Sequence, residues 1–427
     1  MSNLHKLERV YLQINSFSGS IPWDIFNIST LLELNLGINS LSGNLPPRMG
    51  SRLPNLVGIN FNINDLTGAI PSYISNCSKL EVIFFGTNSF SGPIPNSLGE
   101  LRLLKVLNME YNKLTSESFT IGSNIISSIA ANCRYLRKLI LDHNPLNIVL
   151  PTSFGNLSTS LDTFSVNGCN IKGNIPDGIG NLSSLIELDL SKNDLFGVVP
   201  RAIKGLEMVQ LFDSFENRLS GSLPSSICNL KYLGRLNLGK NQIWGSIPEC
   251  IGNVTSQREI YLYSNRLSFN IPSSLWDLKD LLYLDLSSNF LNGSLPPKIG
   301  NLKIATYINL SVNHISGYIP ITIGGLQQLA TISLENNLLQ GPIPDSFANM
   351  INLERLDLSN NNLTGRIPKS LETLRYLRLM VIQITTSLIA PIRAGAILAQ
   401  LLEKNIVKTE DQERIIEVSC RERVYHF

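Results

Sequence analysis

The 427-residue chain has little charge, few aromatics and few cysteines, and each shortage excludes something. Charged residues make up only 16% and nearly cancel, 35 Lys+Arg against 33 Asp+Glu for a formal net charge of +2, which excludes a polybasic nucleic-acid binder. A disordered tail is excluded too, because 43% of the residues are hydrophobic. Six Cys over this length are too few for a disulfide scaffold, and they form neither Cys-x-x-Cys pairs nor Cys/His clusters with zinc-ligand spacing. Cysteine usage alone leaves the redox compartment open. His5, His143, His314 and His426 are scattered, and His143 beside Asp142 reads as a solvated pair at a strand end. No activated Ser or Cys motif accompanies it, so no catalytic residue, metal or cofactor is expected.

What the chain has in abundance is repetition. The motif Asn-x-Leu-x-Gly-x-Ile/Leu-Pro places a marker at Asn15, Asn39, Asn64, Asn88, Asn112, Asn144, Cys169, Asn193, Asn217, Asn241, Asn265, Asn289, Asn313, Asn337 and Asn361. The spacing is 24 or 25 residues except between Asn112 and Asn144, where it is 32. Ahead of each marker runs Leu-x-x-Leu-x-Leu-x-x-Asn, as in Leu281, Leu284, Leu286 and Asn289. The alternation over Leu284, Asp285 and Leu286 predicts a short strand with one buried face, on which Asp285 is a surface residue. A period this short predicts a solenoid in which successive strands stack as a parallel sheet. The marker side chain, with two donors and an acceptor, suits backbone groups of its own and the neighbouring turn. Cys169 reads as a small buried filler in the same place.

Gly follows four residues after the marker at 19, 43, 68, 92, 173, 197, 221, 245, 293, 317, 341 and 365, with Pro three residues later. Gly permits backbone angles that a side chain blocks, and Pro ends the extended segment. After Pro, stretches such as 177–182 and 225–230 read as short helical turns. These repeats resemble plant-type leucine-rich repeats over nearly all of residues 1–370, and the resemblance implies an α/β repeat solenoid: a leucine-rich-repeat superhelix with a parallel concave sheet and short convex helical turns. Within that class the chain is similar to the ectodomain portion of plant receptor-like serine/threonine kinases. The longer unit before Asn144, in which 118–132 reads as a helical stretch ending near Cys133, is similar to one in the receptors that sense flagellin and elongation-factor peptides.

The pattern breaks at informative places. Ser214 stands where an inward Leu is expected, which predicts poor local packing. Leu4, Leu7, Val10 and Leu12 already belong to a repeat, with no signal peptide or paired-Cys cap ahead of them, so the resemblance implies a chain truncated at its start. Leu377, Met380 and Ile382 can begin a sixteenth strand, although no marker follows. The expected organisation is a repeat array over 1–379 and a divergent tail over 380–427. Within that tail, 380–402 is a weak membrane-segment candidate interrupted by Gln383, Pro391 and Arg393.

Function is expected on the concave face, at the positions between the strand leucines. There the register places Tyr261, Tyr263, Tyr283 and Tyr307 across three adjacent units, and rings with polar tips are favoured anchors of binding surfaces. Tyr also suits an exposed strand for structural reasons alone. A second group, Arg137, Lys138, Asp142 and His143, is mixed in sign and reads as solvated surface. Asn-x-Ser/Thr sequons at Asn27, Asn76, Asn156, Asn181, Asn253, Asn292, Asn309 and Asn362 fit a glycosylated, cell-surface or secreted protein, and a glycan on Asn309 would stand beside Tyr307. By resemblance the partners are a peptide or protein ligand and a leucine-rich-repeat co-receptor, and the location is the plasma membrane or outside the cell. The motifs of a kinase, a Gly-rich phosphate loop, a strand Lys, His-Arg-Asp and Asp-Phe-Gly, do not occur in order, so binding rather than catalysis is expected. Two alternatives remain open: an inhibitor of a cell-wall enzyme similar to polygalacturonase-inhibiting proteins, and a fragment of an enzyme whose kinase half lies outside this chain.

Overall fold

The computed structural model describes residues 4, 6–116, 124–382 and 415–417. They fall into two compact units, Met1–Gln242 and Ile243–Phe427, and in each the sequence repeat becomes one coil per period. In the first unit ten three-residue strands, from Arg9–Tyr11 to Arg235–Asn237, pair in parallel among the described residues. The register is one for one, as in Arg9↔Glu33 and Glu187↔Leu211. The middle residue of each strand, Leu34, Leu107 or Leu188 for example, is buried, while its neighbours face outward. Phe26, Phe61, Phe85 and Phe90 carry that core from coil to coil, with ring centroids 6.4, 5.4 and 5.5 Å apart. No single coil could bury these rings by itself.

The second unit repeats the plan with strands from Glu259–Tyr261 to Leu379–Val381. The sixteenth strand expected near Leu377 is present: Leu379–Val381 pairs with Arg355–Asp357, and Met380 and Ile382 are buried. A further short strand, Ile415–Glu417, pairs in parallel with it. The candidate membrane segment lies outside the described residues apart from 380–382. Among the described residues no helix is long and apolar enough to cross a membrane.

The marker asparagines bind coil to coil. Asn313 Nδ2 donates within its own coil to the carbonyls of Leu310 and Ser311, both at 3.1 Å, and to that of Leu286 in the preceding coil at 3.0 Å. Its Oδ1 accepts from the Leu291 N–H at 3.0 Å. Asn217, Asn289 and Asn337 repeat the arrangement, so one buried amide satisfies four backbone groups that the bend would otherwise leave unpaired. Cys169 keeps only part of this: its buried Sγ lies 3.1 Å from the Leu141 carbonyl, and the Leu146 N–H, which a marker amide would accept, donates to the Asn144 carbonyl at 2.8 Å instead. Burial pushes the thiol up to about 12, so it is the filler expected rather than a reactive thiolate.

All twelve glycines after the markers are in the left-handed region, with φ between 76° and 88°. Nine of them lie in, and three just after, a second, lateral layer of short strands, such as Asp194–Val198 and Ser316–Tyr318, which pair in parallel with the same segment of the next coil. Pro then caps a five-residue 3-10 turn, as in Trp23–Asn27 or Ser225–Asn229. These turns stack so closely that a Cβ on Gly155 would collide with the carbonyl of Gly178. In the longer coil the helical stretch is a true α-helix, Ile125–Asn132, whose N-cap Asn124 accepts from the Ser127 N–H at 3.1 Å. Residues 118–123 of the expected stretch lie outside the described residues, and Cys133 caps the end.

Candidate functional site

Concave side chains of the second unit fall into rows set by the strand register. Glu259, Tyr283, Tyr307, Thr331 and Arg355 stand level in one row, and Tyr261, Asp285, Asn309, Ser333 and Asp357 in the next. Tyr283 and Tyr307 are therefore direct neighbours, with ring centroids 6.3 Å apart and planes tilted by 32°. Tyr261 is opposite Asp285, one row on, and Tyr263 lies in the turn beyond the strand. Tyr283 is exposed and the other three half-buried, while the residues between them, Ile260, Leu284 and Ile308, fill the core.

The Tyr307 hydroxyl is held by the surrounding polar groups. Asn309 Nδ2 donates to it at 3.3 Å, and it lies 3.5 Å from Asp285 Oδ2. Burial and the Asp285 charge raise the phenol above its ordinary range, so it stays a neutral donor and acceptor at any physiological pH. The Asn309 amide that a glycan would occupy is thus committed to Tyr307, and Asn309 is half-buried.

One row does work that the sequence reading missed. In nine coils an Asp or Asn at the end of the strand accepts, through Oδ1, from the backbone N–H two residues on, for example Asp189 from Ser191 at 2.9 Å and Asp357 from Ser359 at 3.0 Å. These are Asx turns that close each strand. Asp285 is one of them, accepting from the Ser287 N–H at 3.0 Å and its Oγ at 2.6 Å, so the expectation that it is a dispensable surface residue is corrected. In this row Tyr261 puts an aromatic where neighbouring coils keep a structural carboxylate or amide.

The second candidate group lies in the first unit and does not come together as one cluster. Arg137 pairs with Asp162 at 2.8 Å, and Lys138 is exposed at the start of its strand, opposite Val106 and Thr163. At the far end of the strand, Asp142 accepts from Ser165 Oγ at 2.6 Å and Asn167 N at 2.7 Å. Burial, with Asp189 and Glu110 nearby, raises Asp142 to about 6 despite those bonds. His143 stacks on Tyr111 with centroids 4.3 Å apart. The solvated Asp142–His143 pair expected from sequence is therefore corrected: each partner is engaged by a different neighbour. Among the described residues no group of His, Cys, Asp and Glu could hold a metal ion.

Seven sequon asparagines are exposed. Asn27, Asn76, Asn156, Asn181 and Asn253 each end a 3-10 turn, while Asn292 and Asn362 lie on lateral strands. Asn309 alone of the eight faces the concave side.

Comparison with known proteins bears on this geometry. Leucine-rich-repeat family models match residues 327–383 and, separately, 135–157, 160–182, 184–206 and 280–302. The crystal structure of the receptor HAESA of Arabidopsis thaliana, bound to the peptide hormone IDA and the co-receptor SERK1, is 32% identical, covering 88% of this chain and 73% of HAESA's, with a TM-score of 0.62. The chain belongs to the leucine-rich-repeat family of plant receptor ectodomains. A crystal structure of a TDR receptor superposes with a TM-score of 0.83 at 31% identity, covering 88% of this leucine-rich-repeat chain and 64% of that one. In sequence, the LRR receptor-like serine/threonine-protein kinase EFR of Arabidopsis thaliana is 41% identical over 91 residues, 21% of this chain and 9% of EFR. The leucine-rich-repeat segment shared with EFR is thus about a tenth of that relative's length.

Proposed function

We propose that this chain is the ligand-sensing part of a plant cell-surface receptor and that it works by binding, not catalysis. Its ligand is an extended peptide lying across the concave strands of the second unit. Tyr283, Tyr307 and Tyr261 serve as anchors, and a leucine-rich-repeat co-receptor is the second partner. The observation that carries the reading is the adjacent Tyr283–Tyr307 pair, with Tyr261 level with the structural cap Asp285. Amphipathic rings supply contact area at little entropic cost, and Asp285 Oδ2 beside Tyr307 offers an acceptor for peptide backbone. HAESA and the plant receptor RGFR1, both solved with peptide hormones, support the ligand class.

A photoreactive phenylalanine analogue at position 283 tests the location. With peptides selected from a random library panned on the protein, it should capture peptide on illumination, while the same analogue at the exposed Lys303, outside the strand rows, should not. Capture at 303 and not at 283 would move the site away from the concave face.

A further inference from the structure

The lateral strands of the second unit carry large exposed aromatics that the concave-face reading leaves unexplained. Phe290 is 52% exposed and Phe269 62% exposed. Phe290 begins the strand Phe290–Asn292, whose middle residue, Leu291, is buried, so Phe290 and Asn292 project from the same outward side. The adjacent strand pairs Ser268 with Phe290, Phe269 with the buried Leu291 and Asn270 with Asn292, yet Phe269 itself is exposed. Phe269 occupies the position where twelve other coils have Gly, and it adopts the same left-handed conformation, φ 67°. A side chain there costs about 1 kcal/mol that Gly would avoid. The backbone thus tolerates strain to hold an outward aromatic at this one coil.

Asn292 is the acceptor of an Asn-Gly-Ser sequon. Its carboxamide makes no hydrogen bond among the described residues, unlike the Asn309 amide, which is tied to Tyr307. The residues two places before Asn27, Asn76, Asn156, Asn181 and Asn253 are Ile or Phe buried in the core, although exposed aromatics, Trp23 and Tyr73, stand in the turns that Asn27 and Asn76 end.

We propose that Asn292 is N-glycosylated and that the first N-acetylglucosamine packs its C–H face on Phe290, with Phe269 as a second wall. In the transfer, Asn292 Nδ2 forms a bond to C1 of a sugar carried on a lipid pyrophosphate. The C1–O bond to the pyrophosphate breaks, the pyrophosphate leaves with the bonding pair, and the amide gives up one proton. The seated sugar removes apolar ring surface from water without a partner protein. The occupant is set by connectivity: the attachment atom is on the same strand, two residues away, on the same side as the ring.

The test is the full chain secreted from a eukaryotic host and analysed by glycopeptide mass spectrometry and thermal melting. Occupied protein should melt on the order of 2 °C above Asn292→Gln. Trimming to a single sugar with an endoglycosidase should preserve the gain, because only the first residue touches the rings. In a Phe290→Ser background the gain should vanish, although the site is still occupied. Phe269→Gly should raise the melting point of the unglycosylated protein by relieving strain while shrinking the gain from the sugar. An empty Asn292 in secreted protein, or a glycan gain of the same size in Phe290→Ser, would overturn the proposal.

Discussion

Asn313 donates its side-chain amide to the carbonyl of Leu286, one coil earlier, at 3.0 Å. The bond makes the marker row a structural ladder rather than a ligand-reading surface. Asn313→Ala removes four hydrogen bonds and leaves buried backbone groups unpaired, which should cost about 2–3 kcal/mol. Asn313→Asp should cost more, because a carboxylate oxygen would face carbonyl oxygens where an N–H now donates. Urea unfolding followed by circular dichroism measures both, and equal stability of the Asp variant and the parent would contradict the ladder.

Ser214 is fully buried and its Oγ has no hydrogen-bond partner among the described residues. The sequence reading expected a packing fault at this place, and the unpaired hydroxyl supplies its physical form. Ser214→Ala should stabilise the first unit by about 1 kcal/mol by removing the desolvated group. A loss of stability in the same unfolding assay would mean the hydroxyl is satisfied.

The pH dependence should carry the mark of Asp142. Its folded-state value of about 6 lies above the unfolded carboxyl value of about 3.9, so between the two the folded protein binds more protons. Stability from this group therefore falls as pH rises from about 4 to 6 and is level above. Asp142→Asn can keep an oxygen acceptor for Ser165 and Asn167 without the charge. It should melt above the parent at pH 7.5, by on the order of 1 kcal/mol, with the difference shrinking towards pH 4.5. A difference that grows on acidification would reverse the assigned sign.

Leu286 and Asp285 are neighbours with different jobs. Leu286→Asp puts an unpartnered carboxylate in the core and should unfold several coils. Asp285→Ala should cost about 1 kcal/mol through the lost Asx turn, a cost the sequence alone did not foresee. An unchanged melt for Leu286→Asp would contradict the register, and one for Asp285→Ala would contradict the Asx turn.

Much of the fold was legible because a 24-residue period repeats each local decision many times. Gly at a fixed offset foretold the left-handed bends, and Met380 and Ile382 foretold the sixteenth strand. Other features carry no residue signature. The residue before each marker is also left-handed, yet it is Ile38, Lys192 or Val312 as readily as Asn336, because the ladder imposes the conformation on whatever stands there. The Asx row was missed because its Asp and Asn look like ordinary strand-surface residues until their partners two residues on are seen. Of the candidate site, sequence register located the Tyr283–Tyr307 pair. The commitment of Asn309 to Tyr307, and the separation of Arg137 from Asp142 along one strand, depend on side-chain directions that spacing does not encode.

The central claim is that the concave tyrosines of the second unit bind peptide, and titration calorimetry with a library-selected peptide tests it most directly. Each lost anchor is worth about 2 kcal/mol, so Tyr283→Ala should weaken binding about thirtyfold and Tyr283→Ala with Tyr307→Ala should abolish it. Both variants should keep the parent's melting point within a few degrees. Peptides that bind the double variant as tightly as the parent would contradict the account.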